Sequence, residues 1–236
     1  MQNKQTPAKW GVIFDLDGTM VPNTASHCQA WFELCKRYNI PMNPELYYQK
    51  IHARSNDKIV QNLFGPNVDE SFIRQIEQEK ETLYRRLYRP VMKPAAGLLD
   101  LLEALRSAGV PCGTASNSPT ENVDFILDGL NIRPYFKAVF CRSDVRQGKP
   151  DPEVLLKTAE GLGLPPTRCI LFEDSPSGFK AARAAGMPYI VITADGSPQE
   201  EKEAWDAAAV FKDFTAVGVK DLEALLCRKN RESKTA

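Results

Sequence analysis

Two aspartates, Asp15 and Asp17, stand two residues apart in the segment FDLDGT, directly after the apolar run GVIF. Alternate side chains of an extended backbone point the same way, so both carboxylates can face one cavity. There one carboxylate can attack phosphorus while the other handles protons, a division that environment can set. The competing reading is structural: two aspartates that end a strand and cap the turn after it. A second acidic pair, Glu173 and Asp174 in FEDSPSG, follows the apolar run CILF. If the two runs are neighbouring strands, these carboxylates meet and repel each other unless a cation neutralises them. Hard oxygen ligands with open positions favour magnesium, completed by water and substrate phosphate. Here too a structural role is available, because Asp174 or Ser175 can cap the helix that Pro176 opens. Lys149, in QGKPDP, is confined between glycine and proline. It can pair with a phosphate oxygen and steady a nucleophilic carboxylate, or be a plain surface lysine. Ser116, in TASNS (114–118), offers phosphate a hydroxyl, with nearby main-chain N–H groups to assist.

These residues need a scaffold that brings strand ends together. Short apolar runs bounded by turn residues recur at 10–14, 110–115, 138–140, 169–172 and 189–193. Helical patterns lie between them: LLDLLEALRSAG (98–109), PEVLLKTAEGLG (152–163) and GFKAARAAGM (178–187). Alternating strands and helices imply right-handed βαβ units and a parallel sheet, so the expected fold is α/β, Rossmann-like, with helices on both faces. In such sheets ligands bind at the carboxyl ends of the strands, where the candidate residues fall. The interval after the first strand breaks the rhythm. AWFELCKRYNI, DKIVQNLFG and SFIRQIEQEKETLYRRLY are helical in pattern, with no convincing strand among them. The expected organisation is therefore a core of residues 1–22 and 91–236 with an all-helical cap, 23–90, inserted after the first strand. The last residues, RKNRESKTA, read as a frayed polar tail.

Composition agrees with this reading. The 236 residues are 43% hydrophobic and 25% charged, within the globular range, which excludes disordered and fibrous classes. Thirty basic residues balance thirty acidic ones, so no polyanion-binding surface and no nucleic-acid partner is expected. The six cysteines are scattered, with no CxxC pair, which argues against a zinc site or a disulfide framework. MQNKQTPAKW lacks the apolar stretch of a signal peptide, and no run approaches a membrane span. A cytoplasmic protein without membrane attachment is the expectation, either a monomer or a weak dimer.

FDLDGT, a strand ending in Ser116, Lys149 before proline, and ED at a strand end follow one another in an order that resembles the haloacid dehalogenase superfamily, over residues 11–178. The helical insertion after the first motif is similar to the cap of the β-phosphoglucomutase-like subfamily. The resemblance implies that Asp15 attacks phosphorus and becomes an aspartyl-phosphate. Asp17 would protonate the leaving oxygen and then act as base for the acceptor. Magnesium would be held by the Asp15 carboxylate, the Asp17 main-chain carbonyl and Asp174, with Glu173 nearby. Ser116 and Lys149, helped by the Asn117 amide, would clamp the phosphate. Dehalogenases and phosphonatases of the superfamily lack the second aspartate, so Asp17 implies a phosphate ester or anhydride as substrate.

Substrate choice would then rest with the cap. His27 falls where β-phosphoglucomutases place a cap-hinge histidine, and Arg54, in HARSND, matches the cap arginine that contacts their distal phosphate. Each also has a structural reading, as a packed helix histidine and a surface arginine. VPNTAS departs from the acidic residue and hydroxyl that many relatives carry after the first motif, and TASNSP reads more like the sugar-phosphate phosphatases. The expected function is magnesium-dependent hydrolysis of small phosphorylated metabolites, sugar phosphates foremost. A hexose-phosphate mutase, an inorganic pyrophosphatase and a non-catalytic phosphometabolite-binding module are the alternatives.

Overall fold

The computed structural model describes residues 9–51, 54–193 and 206–232. The expectations for the first eight residues and for the tail beyond 232 lie outside these. The chain divides into two compact units, Met1–Pro22 with Lys93–Ala236, and Asn23–Met92.

The larger unit is built on six parallel strands: β1 (Gly11–Phe14), β2 (Cys112–Ala115), β3 (Phe136–Phe140), β4 (Cys169–Glu173), β5 (Tyr189–Ile192) and β6 (Ala209–Phe211). Their spatial order is β3-β2-β1-β4-β5-β6. The chain thus builds outwards from β1 in one direction and then restarts beside β1 with β4. This is a Rossmann-like order, and its switch point lies at the carboxyl end of β1. β1, β2, β4 and β5 are buried throughout, which is why they read as unbroken apolar runs rather than alternating ones. The short β6 went unread in the sequence, because three residues offer no period to detect.

The other unit holds α1 (Thr24–Arg37), α2 (Pro44–Lys50), α3 (Asn56–Phe64) and α4 (Glu70–Tyr88), with no strand among its described residues. The Asn43 side chain caps α2 by accepting from the Leu46 N–H, and Pro44 sits where a missing N–H costs nothing. In α4 the buried row runs Ile76, Lys80, Tyr84, Tyr88, four residues apart, so a lysine occupies a core position.

Among the described residues, the helices of the larger unit are α5 (Leu98–Ser107), α6 (Thr120–Gly129), α7 (Glu153–Leu162), α8 (Pro176–Ala184) and α9 (Val219–Glu232). Neighbouring residues of one strand serve opposite faces of the sheet. Ile13, Leu171 and Val191 join a core with Leu155 and Ala159 of α7 and Phe179 and Ala182 of α8. Next to them in sequence, Phe14 and Phe172 stack at 5.2 Å, and both meet Phe214, at 5.9 and 5.2 Å. Burying such a ring is worth about 1.5–3 kcal/mol, so this trio is a main anchor of that face. Of the tail read as frayed, RKNRE is corrected: α9 continues through Glu232, with Leu222 and Leu226 buried one turn apart, while the remainder lies outside the described residues.

Candidate active site

Asp15 lies one residue beyond β1, and its N–H donates to the Phe172 carbonyl of β4 at 2.9 Å. The β1–β4 register pairs Phe14 with Phe172, so Asp15 and Glu173 come at the same level on adjacent strands. Lys149 completes the group. Its Nζ donates to Asp15 Oδ1 and to Glu173 Oε2, each at 2.6 Å, and all three residues are buried.

The loop carrying Lys149 is held by Asn117. The Asn117 Oδ1 accepts from the Lys149 N–H at 2.7 Å, and its Nδ2 donates to the Lys149 carbonyl at 3.0 Å. The amide that sequence reading offers to phosphate is thus engaged at both ends with the lysine's main chain. Ser116 is buried, and its Oγ accepts from the Ser118 N–H at 3.0 Å. That bond leaves the Ser116 hydroxyl proton to be donated elsewhere.

Asp174 receives a hydrogen bond from Thr19 Oγ1 at 3.1 Å. Thr19 belongs to the tight turn after β1, in which the Gly18 N–H donates to the Val21 carbonyl at 2.9 Å. Gly18 has φ +80°, and a Cβ there would overlap the Asp174 carboxylate, so glycine is required on both counts. On the other side, Glu173 Oε1 accepts from the Ser175 N–H at 3.1 Å and from its hydroxyl at 2.7 Å. Ser175 in turn caps α8 through the Gly178 N–H at 3.2 Å. The capping role read for this segment therefore falls to Ser175, which leaves Asp174 facing Thr19. The carboxylate of Asp17 takes a hydrogen bond from the hydroxyl of Ser118.

Asp15, Glu173 and Asp174 present carboxylate oxygens that all lie within 4.8 Å of one another. Among the described residues, one lysine, Lys149, is ion-paired with this group. Burial first, and then the Glu173 charge, push Asp15 up to about 8 despite Lys149, and the same causes hold Asp174 well above the usual carboxylate range. Burial pulls Lys149 down, yet the two carboxylates more than offset it and keep its ammonium charged. So many carboxylates around one ammonium are short of positive charge, and the all-oxygen donor set suits a hard divalent cation.

His27 and Arg54 belong to the helical unit. The His27 ring stacks on Tyr84 at 3.7 Å, and its Nδ1 lies 2.8 Å from Lys80 Nζ. Lys80 forms a buried ion pair with Glu81 at 2.8 Å and stands 5.5 Å from the Trp31 ring centre. Asn56 donates to the same Glu81 oxygen at 3.1 Å. Arg54 is exposed, with its guanidinium 3.3 Å from the Tyr48 carbonyl. Sequence reasoning missed Ser118, Thr19 and Lys80. For Lys80 a signal existed: its place in the four-residue row of α4.

Residues 12–192 match the family of haloacid dehalogenase-like hydrolases. The fructose-1-phosphate phosphatase YqaB of Escherichia coli K12 is 29% identical over 182 residues, which cover 77% of this chain and 95% of that protein. The crystal structure of a HAD hydrolase, family IA, variant 3, from Entamoeba histolytica superposes with a TM-score of 0.86 at 26% identity, covering 92% of this chain and 99% of that one. A β-phosphoglucomutase from Clostridium difficile shares the fold, with a TM-score of 0.78 at 22% identity over 94% of this chain and 98% of the other.

Proposed function

This chain belongs to the haloacid dehalogenase-like hydrolases, and on that footing we propose that it is a magnesium-dependent phosphatase of small phosphorylated sugars. The observation that carries the reading is the Asp15 carboxylate at the end of the central strand, bonded to a buried lysine and crowded by two further carboxylates.

In this reading Asp15 attacks phosphorus in line with the leaving oxygen, forming an aspartyl-phosphate as the P–O bond to the sugar breaks. Asp17 gives its proton to the leaving alkoxide. It then takes a proton from water, which attacks the aspartyl-phosphate and releases inorganic phosphate. Lys149 and the Ser116 hydroxyl stabilise charge on the phosphoryl oxygens, and Asn117 serves by fixing the lysine's loop. Asp15, Asp174 and the Asp17 carbonyl would hold magnesium, with Glu173 beside them; the ion would supply charge neutralisation and orient the phosphate. The similarity to a fructose-1-phosphate phosphatase supports a sugar phosphate as substrate.

Mutase chemistry is the second reading. It is supported by the fold shared with a β-phosphoglucomutase, whereas His27, stacked on Tyr84 and beside Lys80, is packed as its structural reading expects. There, His27 and Arg54 would contact a sugar phosphate. One assay separates the two. Purified protein with magnesium is offered a panel of sugar phosphates, with and without a hexose bisphosphate primer. Stoichiometric phosphate release, abolished by Asp15→Asn, supports the phosphatase. Primed interconversion of hexose 1- and 6-phosphates without net release replaces it with the mutase, and the absence of both activities refutes both readings.

A further inference from the structure

The loop after β2 does more than present Ser116. Ser118 is tied down at each of its polar main-chain groups: its N–H donates to Ser116 Oγ at 3.0 Å, and its carbonyl accepts from the Arg142 N–H at 3.1 Å. Its neighbour Asn117 grips the Lys149 main chain on both sides. From this fixed point the Ser118 hydroxyl reaches Asp17 and donates to Oδ2. Asp17 itself lies three residues beyond the end of β1, in the turn that Gly18 closes, where it forms an isolated bridge with Val21.

We infer that Ser118 is a positioning residue for Asp17, holding the carboxyl plane so that Oδ1 faces the departing oxygen of the substrate. The inference rests on the phosphatase reading and adds a residue to it. A carboxyl group turns freely about its last bond, and proton transfer demands an oxygen within hydrogen-bond reach of the leaving atom. A hydroxyl anchored by its own main chain and bonded to Oδ2 sets the rotation of the carboxyl plane, and with it the direction of Oδ1. Ser118 thereby also links the proton-transfer group to the Lys149 loop through two adjacent residues of one turn.

Dependence on an oriented acid scales with how badly the leaving group needs a proton. A sugar alkoxide needs one; p-nitrophenolate departs without it. The test is therefore kcat/KM, which reports phosphorylation of the enzyme, for a sugar phosphate and for p-nitrophenyl phosphate, in wild type, Ser118→Ala and Ser118→Thr. We expect Ser118→Ala to lose about 10- to 100-fold on the sugar phosphate, mainly in kcat, and less than about threefold on p-nitrophenyl phosphate, with Ser118→Thr restoring most of the loss. Equal losses on the two substrates, no loss on either, or no recovery with threonine would overturn the inference. Should Ser118→Ala not fold, Ser118→Cys, similar in size and a weak donor, carries the same comparison. A wild-type protein inert on both substrates would refute the phosphatase reading instead, so the two failures are distinguishable.

Discussion

Lys149 bridges Asp15 and Glu173, with its Nζ 2.6 Å from an oxygen of each, so a single buried ammonium joins the ends of two adjacent strands. Removing it strands two buried carboxylates. Lys149→Met is expected to destabilise the metal-free protein by about 3–5 kcal/mol, the cost of an uncompensated buried charge. Turnover should fall by at least about 100-fold, as for loss of a preorganised donor. Urea unfolding and phosphate-release kinetics measure the two losses. A variant as stable and active as wild type would remove Lys149 from both roles.

Acid should stabilise the metal-free enzyme. The Asp15 carboxyl titrates near 8 in the folded protein against 3.8 when free, and Asp174 is raised as well. Between those values the native state binds more protons than the unfolded one, so stability falls as pH rises from about 4 to about 8. In chelator, the unfolding midpoint should drop by on the order of 5 °C between pH 5 and pH 8. Magnesium, bound to the ionised carboxylates, should remove most of that slope. A metal-free midpoint that is flat or rises over this interval would contradict the site's charge balance.

Gly18 tests the turn itself. Gly18→Ala forces a side chain into left-handed backbone and against the Asp174 carboxylate. A cost of about 1–3 kcal/mol is expected from strain of this kind, together with weaker magnesium dependence of activity as Asp174 is displaced. Chemical denaturation and a magnesium titration of the rate would show both.

Asn117 should act through geometry alone. Asn117→Ala removes both bonds to the Lys149 main chain and is expected to lower kcat/KM by about tenfold, consistent with a small misplacement of a catalytic group. Asn117→Asp should be worse, because its carboxylate keeps the bond to the Lys149 N–H but repels the carbonyl that the amide served. If the aspartate variant outperforms the alanine variant, Asn117 is not the clamp described.

In the helical unit, Lys80→Met should cost about 3–5 kcal/mol by leaving the Glu81 carboxylate buried without its ammonium. Adding Glu81→Gln should recover much of the loss, because a neutral amide can keep the contact with Asn56. Full additivity of the two substitutions in urea unfolding would show that the pair is not coupled.

Much of the site was legible because its residues are spaced along the chain as the strands dictate. Asp15 and Asp17 follow a buried run, Glu173 and Asp174 follow another, and Lys149 is fixed between glycine and proline. What could not be read were partners set only by folding. Ser118 and Thr19 are ordinary loop hydroxyls until a distant strand end comes beside them, 101 and 155 residues away along the chain. Lys80 and Glu81 lie in a charged stretch that reads only as helical, and their burial follows from the row that Ile76, Tyr84 and Tyr88 complete. Helix α6 escaped notice because TENVDFILDG opens with polar residues after a proline and its apolar row is short. α9 was lost among charges for a similar reason, although Leu222 and Leu226 bind it to the core.

The N–H of Asp15 is locked to the Phe172 carbonyl between strands that are themselves flanked on both sides. Its amide hydrogen can therefore exchange with deuterated water only when the centre of the sheet opens, which is the rarest opening a domain undergoes. Local fraying at β3 or β6 leaves Asp15 in place. On warming, catalytic competence should therefore persist until the sheet itself gives way, and the two should vanish in a single event.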